Sequence, residues 1–161
     1  MTMSFILNGE DVEVDTIMEN RLVDILRNTF NLLGTKTGCY TGTCGTCSII
    51  FNGKVVKSCL IPAYKIRNCE IITIEGFSQT NEYSDIIQGF SETGLVNCNF
   101  CHTSKILATD VLLNRNIQPS RSEILAAFQG IRCRCTEPEE LVQGVTAVCE
   151  LRRRRIYGRS S

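Results

Sequence analysis

Short stretches in which apolar and polar residues alternate predict β-strands in the first half of the chain. Asn8-Gly9 and Asn52-Gly53 are strong signals for two-residue turns, and each lies between two such stretches. We therefore expect two β-hairpins and one further strand, and we expect that last strand to end at Gly76. The predicted strands cover residues 3–7, 10–14, 48–51, 54–57 and 71–74.

Apolar residues at helical spacing predict one helix between the two hairpins. Leu22, Ile25, Leu26 and Phe30 recur three or four positions apart, which places them on one face of an amphipathic helix over residues 21–31. Strands packed around a single helix are typical of a small α+β domain.

The pattern changes at the polar stretch over residues 77–82, which we interpret as a linker. After this stretch the strand patterns give way to helical ones. Ser120-x-x-Glu123 and Thr136-x-x-Glu139 have the spacing of helix-capping boxes, and Gly130 fits the end of the helix between them. Four helices in so short a segment predict a compact bundle. The predicted helices cover residues 83–93, 102–114, 121–129 and 138–152.

The composition of the 161 residues restricts the class of protein. Hydrophobic residues make up 43%, enough for the cores of one or two small domains. The 17 basic and 17 acidic residues balance, so we expect no nucleic-acid partner. No apolar run approaches the roughly 20 residues of a membrane span, and we expect no membrane association.

Cysteine usage indicates the compartment and the chemistry. The N-terminal residues lack the basic and apolar segments of a secretory signal, so we expect a cytoplasmic protein. Ten cysteines in that setting predict reduced thiols that bind metal, and disulfide scaffolding is the alternative.

Four cysteines form the first cysteine set: Cys39, Cys44, Cys47 and Cys59. Their spacing, C-x4-C-x2-C followed by a fourth cysteine, is the plant-type pattern for a [2Fe–2S] cluster. Glycines between the cysteines allow the backbone to wrap a cluster and turn N–H groups toward its sulfides. Cys59 follows a predicted hairpin strand that can return it to the loop. A zinc site is the alternative, because four thiolates also bind Zn²⁺.

Four later cysteines form the second cysteine set: Cys98, Cys101, Cys133 and Cys135. The first pair lies at the start of one predicted helix, and the second pair lies between the next two helices. We expect helix N-termini to stabilise these thiolates and the helix ends to bury the cluster away from water. Two such pairs also fit a zinc site.

Several other residues have both a functional and an ordinary interpretation. His102 follows a predicted ligand directly, so it either forms a hydrogen bond to a cluster sulfur, couples a proton to reduction, or is a polar residue of a first helical turn. We expect Cys69 and Cys149 to be small buried residues. The arginines at 152–155 either complement the helix dipole in solvent or dock onto an acidic partner.

Three segments of the chain resemble the iron–sulfur subunit of the molybdenum hydroxylases, the family of xanthine dehydrogenase. The first runs from Leu33-Gly-Thr-Lys-Thr-Gly-Cys39 through the cysteine loop. The others are Asn97-Cys-Asn-Phe-Cys101 and Gly130-Ile-Arg-Cys-Arg-Cys-Thr136. The resemblance implies a β-grasp, ferredoxin-like domain over residues 1–77 and a four-helix bundle over residues 78–161. It also implies that each cysteine set holds one [2Fe–2S] cluster.

The resemblance implies partners and an electron path as well. Electrons would leave a molybdopterin centre on a large catalytic subunit, pass through both clusters and reach an FAD subunit or an external acceptor. Cys135 and the position of Asn97 would contact the pterin. The chain departs from the family pattern at Asn97, at residues 102–104 and at residues 137–138. The alternative function is a stand-alone zinc or redox-sensing module with no molybdenum partner.

Overall fold

A computed structural model describes residues 1–95 and 98–158 of the chain. It is an α+β structure in which five strands precede most of the helices, as the sequence predicts. The strands are β1 (Thr2–Leu7), β2 (Glu10–Asp15), β3 (Ser48–Phe51), β4 (Lys54–Lys57) and β5 (Glu70–Ile72). The helices are α1 (Leu22–Asp24), α2 (Ile74–Phe77), α3 (Asn81–Glu92), α4 (His102–Arg115), α5 (Arg121–Ala127) and α6 (Pro138–Tyr157).

The strands form one mixed sheet in the order β2-β1-β5-β3-β4. Both predicted hairpins are confirmed, because β1 pairs with β2 and β3 pairs with β4 in antiparallel register. The turn residues Asn8, Gly9, Asn52 and Gly53 all have positive φ, the conformation that such two-residue turns require. β5 lies in the middle, parallel to β1 and antiparallel to β3.

The predicted helix over 21–31 takes a different form. Only α1 is α-helical, and residues Ile25–Thr29 continue it as a wider π-helical turn, in which Phe30 N–H donates to the carbonyl of Ile25 at 3.3 Å. The predicted apolar face is nevertheless correct. Leu22, Ile25 and Leu26 are buried against the sheet, and their core also contains Met3, Phe5, Ile49 and Ile71.

Helices α3 to α6 build a second core that extends onto the sheet. Phe90, Leu107, Ile124 and Val148 are buried at its centre. α3 and α6 approach closely at Gly89, where a Cβ would lie 2.6 Å from a methyl group of Val148. The same core includes Ile50 of β3 and Phe77 of α2, so the sheet and the helices share apolar contacts. Within the described residues, no helix has the length and apolar character needed to cross a membrane.

Three predictions about where strands and helices begin or end are wrong. The last predicted strand ends at Ile72, and Gly76 lies inside α2. α5 ends at Ala127, so Gly130 lies beyond the position where it would stop the helix. The box Ser120-x-x-Glu123 is confirmed, but the cap of α6 is formed by Glu137 and Glu140. The shift has a physical reason: Pro138 lacks an N–H and suits the first helical position, which makes the preceding residue the cap.

The arginines of α6 are not simply solvated. Arg152 is buried, and its guanidinium donates to Asp110 at 3.0 Å and lies 3.9 Å from Asp85. Arg155 pairs with Asp85 at 2.8 Å and with Glu82 at 3.1 Å. These ion pairs fasten α6 to α3 and α4, which corrects the interpretation of this segment as solvated charge.

Candidate metal centres

The first cysteine set begins in the loop between the π-helical turn and β3. Cys39 Sγ accepts hydrogen bonds from the backbone N–H groups of Thr41, Thr43 and Cys44 at 3.3, 3.2 and 3.3 Å. Three N–H groups directed at one sulfur stabilise negative charge on it. The loop therefore directs N–H groups at the Cys39 sulfur, and N–H contacts with the sulfides of a cluster stay a prediction.

Cys59 returns to this loop as the sequence predicts. It lies in a short 3-10 turn (Ser58–Leu60) after β4 and packs in one buried cluster with Cys47 and Val23. Ser58 fixes the return, because its N–H and its hydroxyl both donate to the carbonyl of Cys47, at 3.1 and 2.7 Å.

The first and last cysteines of this set, Cys39 and Cys59, differ in how readily their thiols ionise. Hydrogen bonds from the Thr41 side chain and from backbone N–H groups lower the pKa of Cys39 to about 5. Burial, together with the neighbouring Cys47, raises the pKa of Cys59 to about 11. A metal centre that binds at neutral pH must therefore displace the proton of Cys59, whereas the Cys39 thiol is already ionised.

The second cysteine set comes together at the N-terminus of α4. Cys101 is the residue that caps α4, and its Sγ lies 3.4 Å from Cys98 Sγ and 3.2 Å from Cys133 Sγ. Backbone N–H groups again point at sulfur, from Phe100 to Cys98 at 3.3 Å and from Cys135 to Cys133 at 3.4 Å. Cysteines separated by more than thirty positions along the chain thus meet at one place.

Helix N-termini do not lower the pKa of every thiol in this set, contrary to the sequence expectation. Burial raises the pKa of Cys101 to about 12 although it caps α4. At Cys133 burial also opposes ionisation, but hydrogen bonds from Cys101 and Lys105 outweigh it and lower the pKa to about 7. Cys135 is exposed, so the expectation that helix ends shield the whole set from water is wrong for this residue.

The two sets meet across a narrow contact between the sheet half and the helical half. Arg132 N–H donates to the carbonyl of Cys44 at 3.0 Å. The Ser104 hydroxyl of α4 donates to the carbonyl of Gly45 at 2.7 Å. Gly45 has a φ of +76°, and a Cβ there would overlap the carbonyl oxygen of Gly130. A glycine is therefore required both for the backbone conformation and for the close approach.

The chemistry of this donor set fits [2Fe–2S] centres. Each iron of such a cluster takes two of four thiolates. In each set, thiols come together and backbone N–H groups point at their sulfur atoms. Within the described residues, no group of three or more His, Cys, Asp or Glu side chains surrounds the position of a single ion.

Comparison with known proteins identifies the family. A family model described as a 2Fe-2S iron-sulfur cluster binding domain matches residues 5–67, and one described as a [2Fe-2S] binding domain matches residues 73–146. The small FeS subunit of nicotinate dehydrogenase from Eubacterium barkeri is 40% identical over 136 residues, covering 84% of this chain and 87% of its own. The chain belongs to the iron–sulfur subunits of the molybdenum hydroxylase family.

Other members of this iron–sulfur family agree along nearly the whole chain. The iron-sulfur-binding subunit of xanthine dehydrogenase from Escherichia coli is 31% identical over 147 residues, which is 90% of this chain and 92% of that one. The structure of quinoline 2-oxidoreductase from Pseudomonas putida 86 superposes with a TM-score of 0.86 at 34% identity. It covers 95% of this chain and 96% of the matched chain.

The remaining sequence candidates have mixed outcomes in this family member. His102 Nδ1 is buried with no hydrogen-bond partner among the described residues, and the hydrogen bond from His102 to a cluster sulfur stays a prediction. Cys149 is buried, as predicted, and burial raises the pKa of its thiol to about 11. Cys69 is half-exposed and donates to the carbonyl of Lys65, which corrects its prediction as buried. Asn97 lies outside the described residues.

Sequence reasoning missed three residues of this region. Ser104 and Arg132 join the two sets through hydrogen bonds, and Lys105 is buried beside Cys133. The predicted helix over 102–114 was the available signal for Ser104, because it places that side chain one turn after Cys101. The backbone bond of Arg132 has no sequence signal, since any residue except proline supplies an N–H.

Proposed function

We propose that this chain is the electron-transfer subunit of a molybdenum hydroxylase complex. In this proposal the first cysteine set, Cys39, Cys44, Cys47 and Cys59, holds one [2Fe–2S] cluster. The second cysteine set, Cys98, Cys101, Cys133 and Cys135, holds the other. When bound, each cluster supplies one-electron redox chemistry, which side chains alone cannot provide.

The observation that carries this proposal is the hydrogen bond between Arg132 and Cys44. Arg132 immediately precedes Cys133, so its 3.0 Å hydrogen bond ties the backbone of Cys44 in one set to the residue next to Cys133 in the other. Ser104 and Gly45 reinforce the same contact. The chain thereby holds the two thiolate sets at a fixed separation, which is what a relay between two partners requires.

The exposure of the cysteines suggests which partner each cluster faces. Cys135 is exposed at the surface of the second set, and we assign this surface to the large molybdopterin subunit, with Cys135 and Asn97 in contact with the pterin. We assign the surface of the first set to an FAD subunit or external acceptor. The buried thiols, Cys47, Cys59 and Cys101, keep the interior side of each set away from solvent.

We also propose a division of the chain into two domains. Residues 1–77 form the β-grasp, ferredoxin-like domain, and residues 78–161 form a four-helix bundle. The two family matches, over residues 5–67 and 73–146, support a division near this point. We propose the cytoplasm as the compartment, because ten cysteines used for metal require thiols that are kept reduced.

Anaerobic purification of the tagged chain from its own host tests this function. We expect it to elute with a large chain that carries molybdenum, at about one molybdenum per four irons, and FAD content identifies the second partner. Gel filtration of the chain as a lone monomer, without molybdenum in any fraction that contains it, would contradict the proposal. That result would favour a stand-alone zinc or redox-sensing module.

A further inference from the structure

Lys105 is a lysine with almost no exposure to solvent. It lies on α4, one helical turn after Cys101, and it is 2% exposed. Its ammonium donates a 2.6 Å hydrogen bond to Thr136 Oγ1, in the loop that also carries Cys133 and Cys135. The lysine therefore bridges the two parts of the second cysteine set, from the helix with one pair to the loop with the other.

No carboxylate balances this charge in the described part of the chain. The ion pairs over residues 1–95 and 98–158 involve arginines and the N-terminus, and none includes Lys105. Thr136 offers an uncharged oxygen. The groups within reach that can carry negative charge are thiols, because Lys105 lines one cavity with Cys133 and lies one helical turn after Cys101.

The position is unfavourable for an isolated cation. The hydrogen bond to Thr136 replaces only part of the hydration that a buried ammonium loses, and no anion offsets the rest within the described residues. The N-terminal end of a helix also carries partial positive charge, which repels a lysine there. Apolar side chains around the ammonium increase this repulsion, because a low local dielectric strengthens electrostatic interactions. Lys105 and Cys133 line a cavity of about 170 Å³ together with Leu125, Phe128 and Leu141. Negative charge on the second set would remove the cost.

We propose that Lys105 raises the reduction potential of the cluster held by the second cysteine set. The inference rests on the proposed function, in which that set holds a [2Fe–2S] cluster. A dicationic cluster with four thiolates carries about two negative charges when oxidised and about three after one electron is added. A fixed ammonium attracts the reduced form more strongly than the oxidised form. No proton is exchanged, and the electron comes from the partner centre.

The test compares three substitutions in the anaerobically purified complex. Lys105→Met removes the charge and keeps the length, Lys105→Gln removes it and keeps polarity, and Lys105→Arg retains it. The matched control is Lys65→Met, at an exposed lysine outside both sets. Potentiometric titration followed by electron paramagnetic resonance gives the midpoint of each cluster separately, so the first-set cluster serves as an internal reference.

We expect Lys105→Met and Lys105→Gln to lower the reduced-to-oxidised ratio of the second-set cluster about tenfold at a fixed potential, a shift of about 59 mV to more negative values. Lys105→Arg and Lys65→Met should leave it within about threefold, and the first-set cluster should not move. An unchanged midpoint in both neutral variants, or equal shifts in the Met and Arg variants, would overturn the inference.

Cluster assembly decides the remaining outcomes. Loss of the second-set cluster in both neutral variants, with assembly retained in Lys105→Arg, shows that the site requires the charge and supports the inference. Loss in all three variants shows a packing role and overturns it. If the unmodified complex itself shows no second [2Fe–2S] signal, the proposed function fails, which is a result distinct from failure of the Lys105 inference.

Discussion

The backbone N–H of Arg132 donates a hydrogen bond to the carbonyl oxygen of Cys44 over 3.0 Å. The two residues are far apart in the sequence and belong to the two different halves of the chain. Cys44 belongs to the first cysteine set, and Arg132 adjoins Cys133 of the second. This bond, with the close approach of Gly45 to Gly130, couples the geometry of the two sets.

The contact at Gly45 predicts a large effect of a single methyl group. Gly45→Ala should lower the free energy of unfolding by about 1–2 kcal/mol for the positive φ and by about 1–3 kcal/mol more for the overlap with Gly130. Gly53→Ala is the matched control, because Gly53 has a φ of +78° and open space around it. Denaturant unfolding of both variants should show the larger loss at Gly45. Equal losses would mean that the contact with Gly130 contributes nothing.

Replacement of Arg152 should cause a large loss of stability, although the sequence around it looks like an ordinary basic tail. Arg152→Met should cost about 3–5 kcal/mol, because Asp110 would remain buried without its counter-charge, whereas Asp85 keeps its pair with Arg155. The neighbouring Arg153 is exposed, and Arg153→Met should change the free energy of unfolding by less than about 0.5 kcal/mol. Similar effects of the two substitutions in denaturant unfolding would contradict the ion-pair account.

Cys149 predicts a stability change at alkaline pH. Burial raises the pKa of its thiol to about 11, above the value of about 8.5 for an unfolded chain. A raised folded-state pKa means that the unfolded chain ionises first, so the stability contributed below pH 8.5 is lost as pH rises toward 11. Between pH 7.5 and pH 10 the unmodified chain should lose about 1–2 kcal/mol more than Cys149→Ala.

The control for this measurement is Cys69→Ser, at a half-exposed thiol outside both cysteine sets. Its pH dependence should follow that of the unmodified chain. If Cys149→Ala shows the same alkaline slope as the unmodified chain, Cys149 does not stay protonated in the folded state.

If each cysteine set holds its own cluster, a substitution in one set should affect only the cluster of that set. Cys135→Ser should perturb the electron paramagnetic resonance signal of the second-set cluster and spare the first, and Cys44→Ser should do the reverse. Cys69→Ser should leave both signals intact. Loss of both signals in Cys135→Ser, with the sheet half still folded by circular dichroism, would contradict the assignment of Cys135.

Local patterns predicted much of this fold because their causes are local. The turns at Asn8-Gly9 and Asn52-Gly53 depend on residues that accept positive φ, and the cap of α5 depends on Ser120 and Glu123 three positions apart. Where local signals compete, prediction fails. Proline at position 138 moved the cap of α6 by one residue from the predicted Thr136.

The rest depends on partners that no local pattern reveals. Arg152 is buried because Asp85 and Asp110 approach it from other helices, 67 and 42 positions away. The π-helical turn at Ile25–Thr29 has the same apolar spacing as an α-helix, so the sequence alone does not separate the two. Lys105 bonds to Thr136, 31 positions away, a contact that exists only in the folded chain.

Metal content with visible absorption is the most direct test of the central claim that this chain holds two [2Fe–2S] clusters. For the anaerobically purified chain we predict about four irons, negligible zinc, and broad visible bands that dithionite bleaches. Colourless protein with stoichiometric zinc, and no uptake of iron on reconstitution with iron and sulfide, would contradict the account.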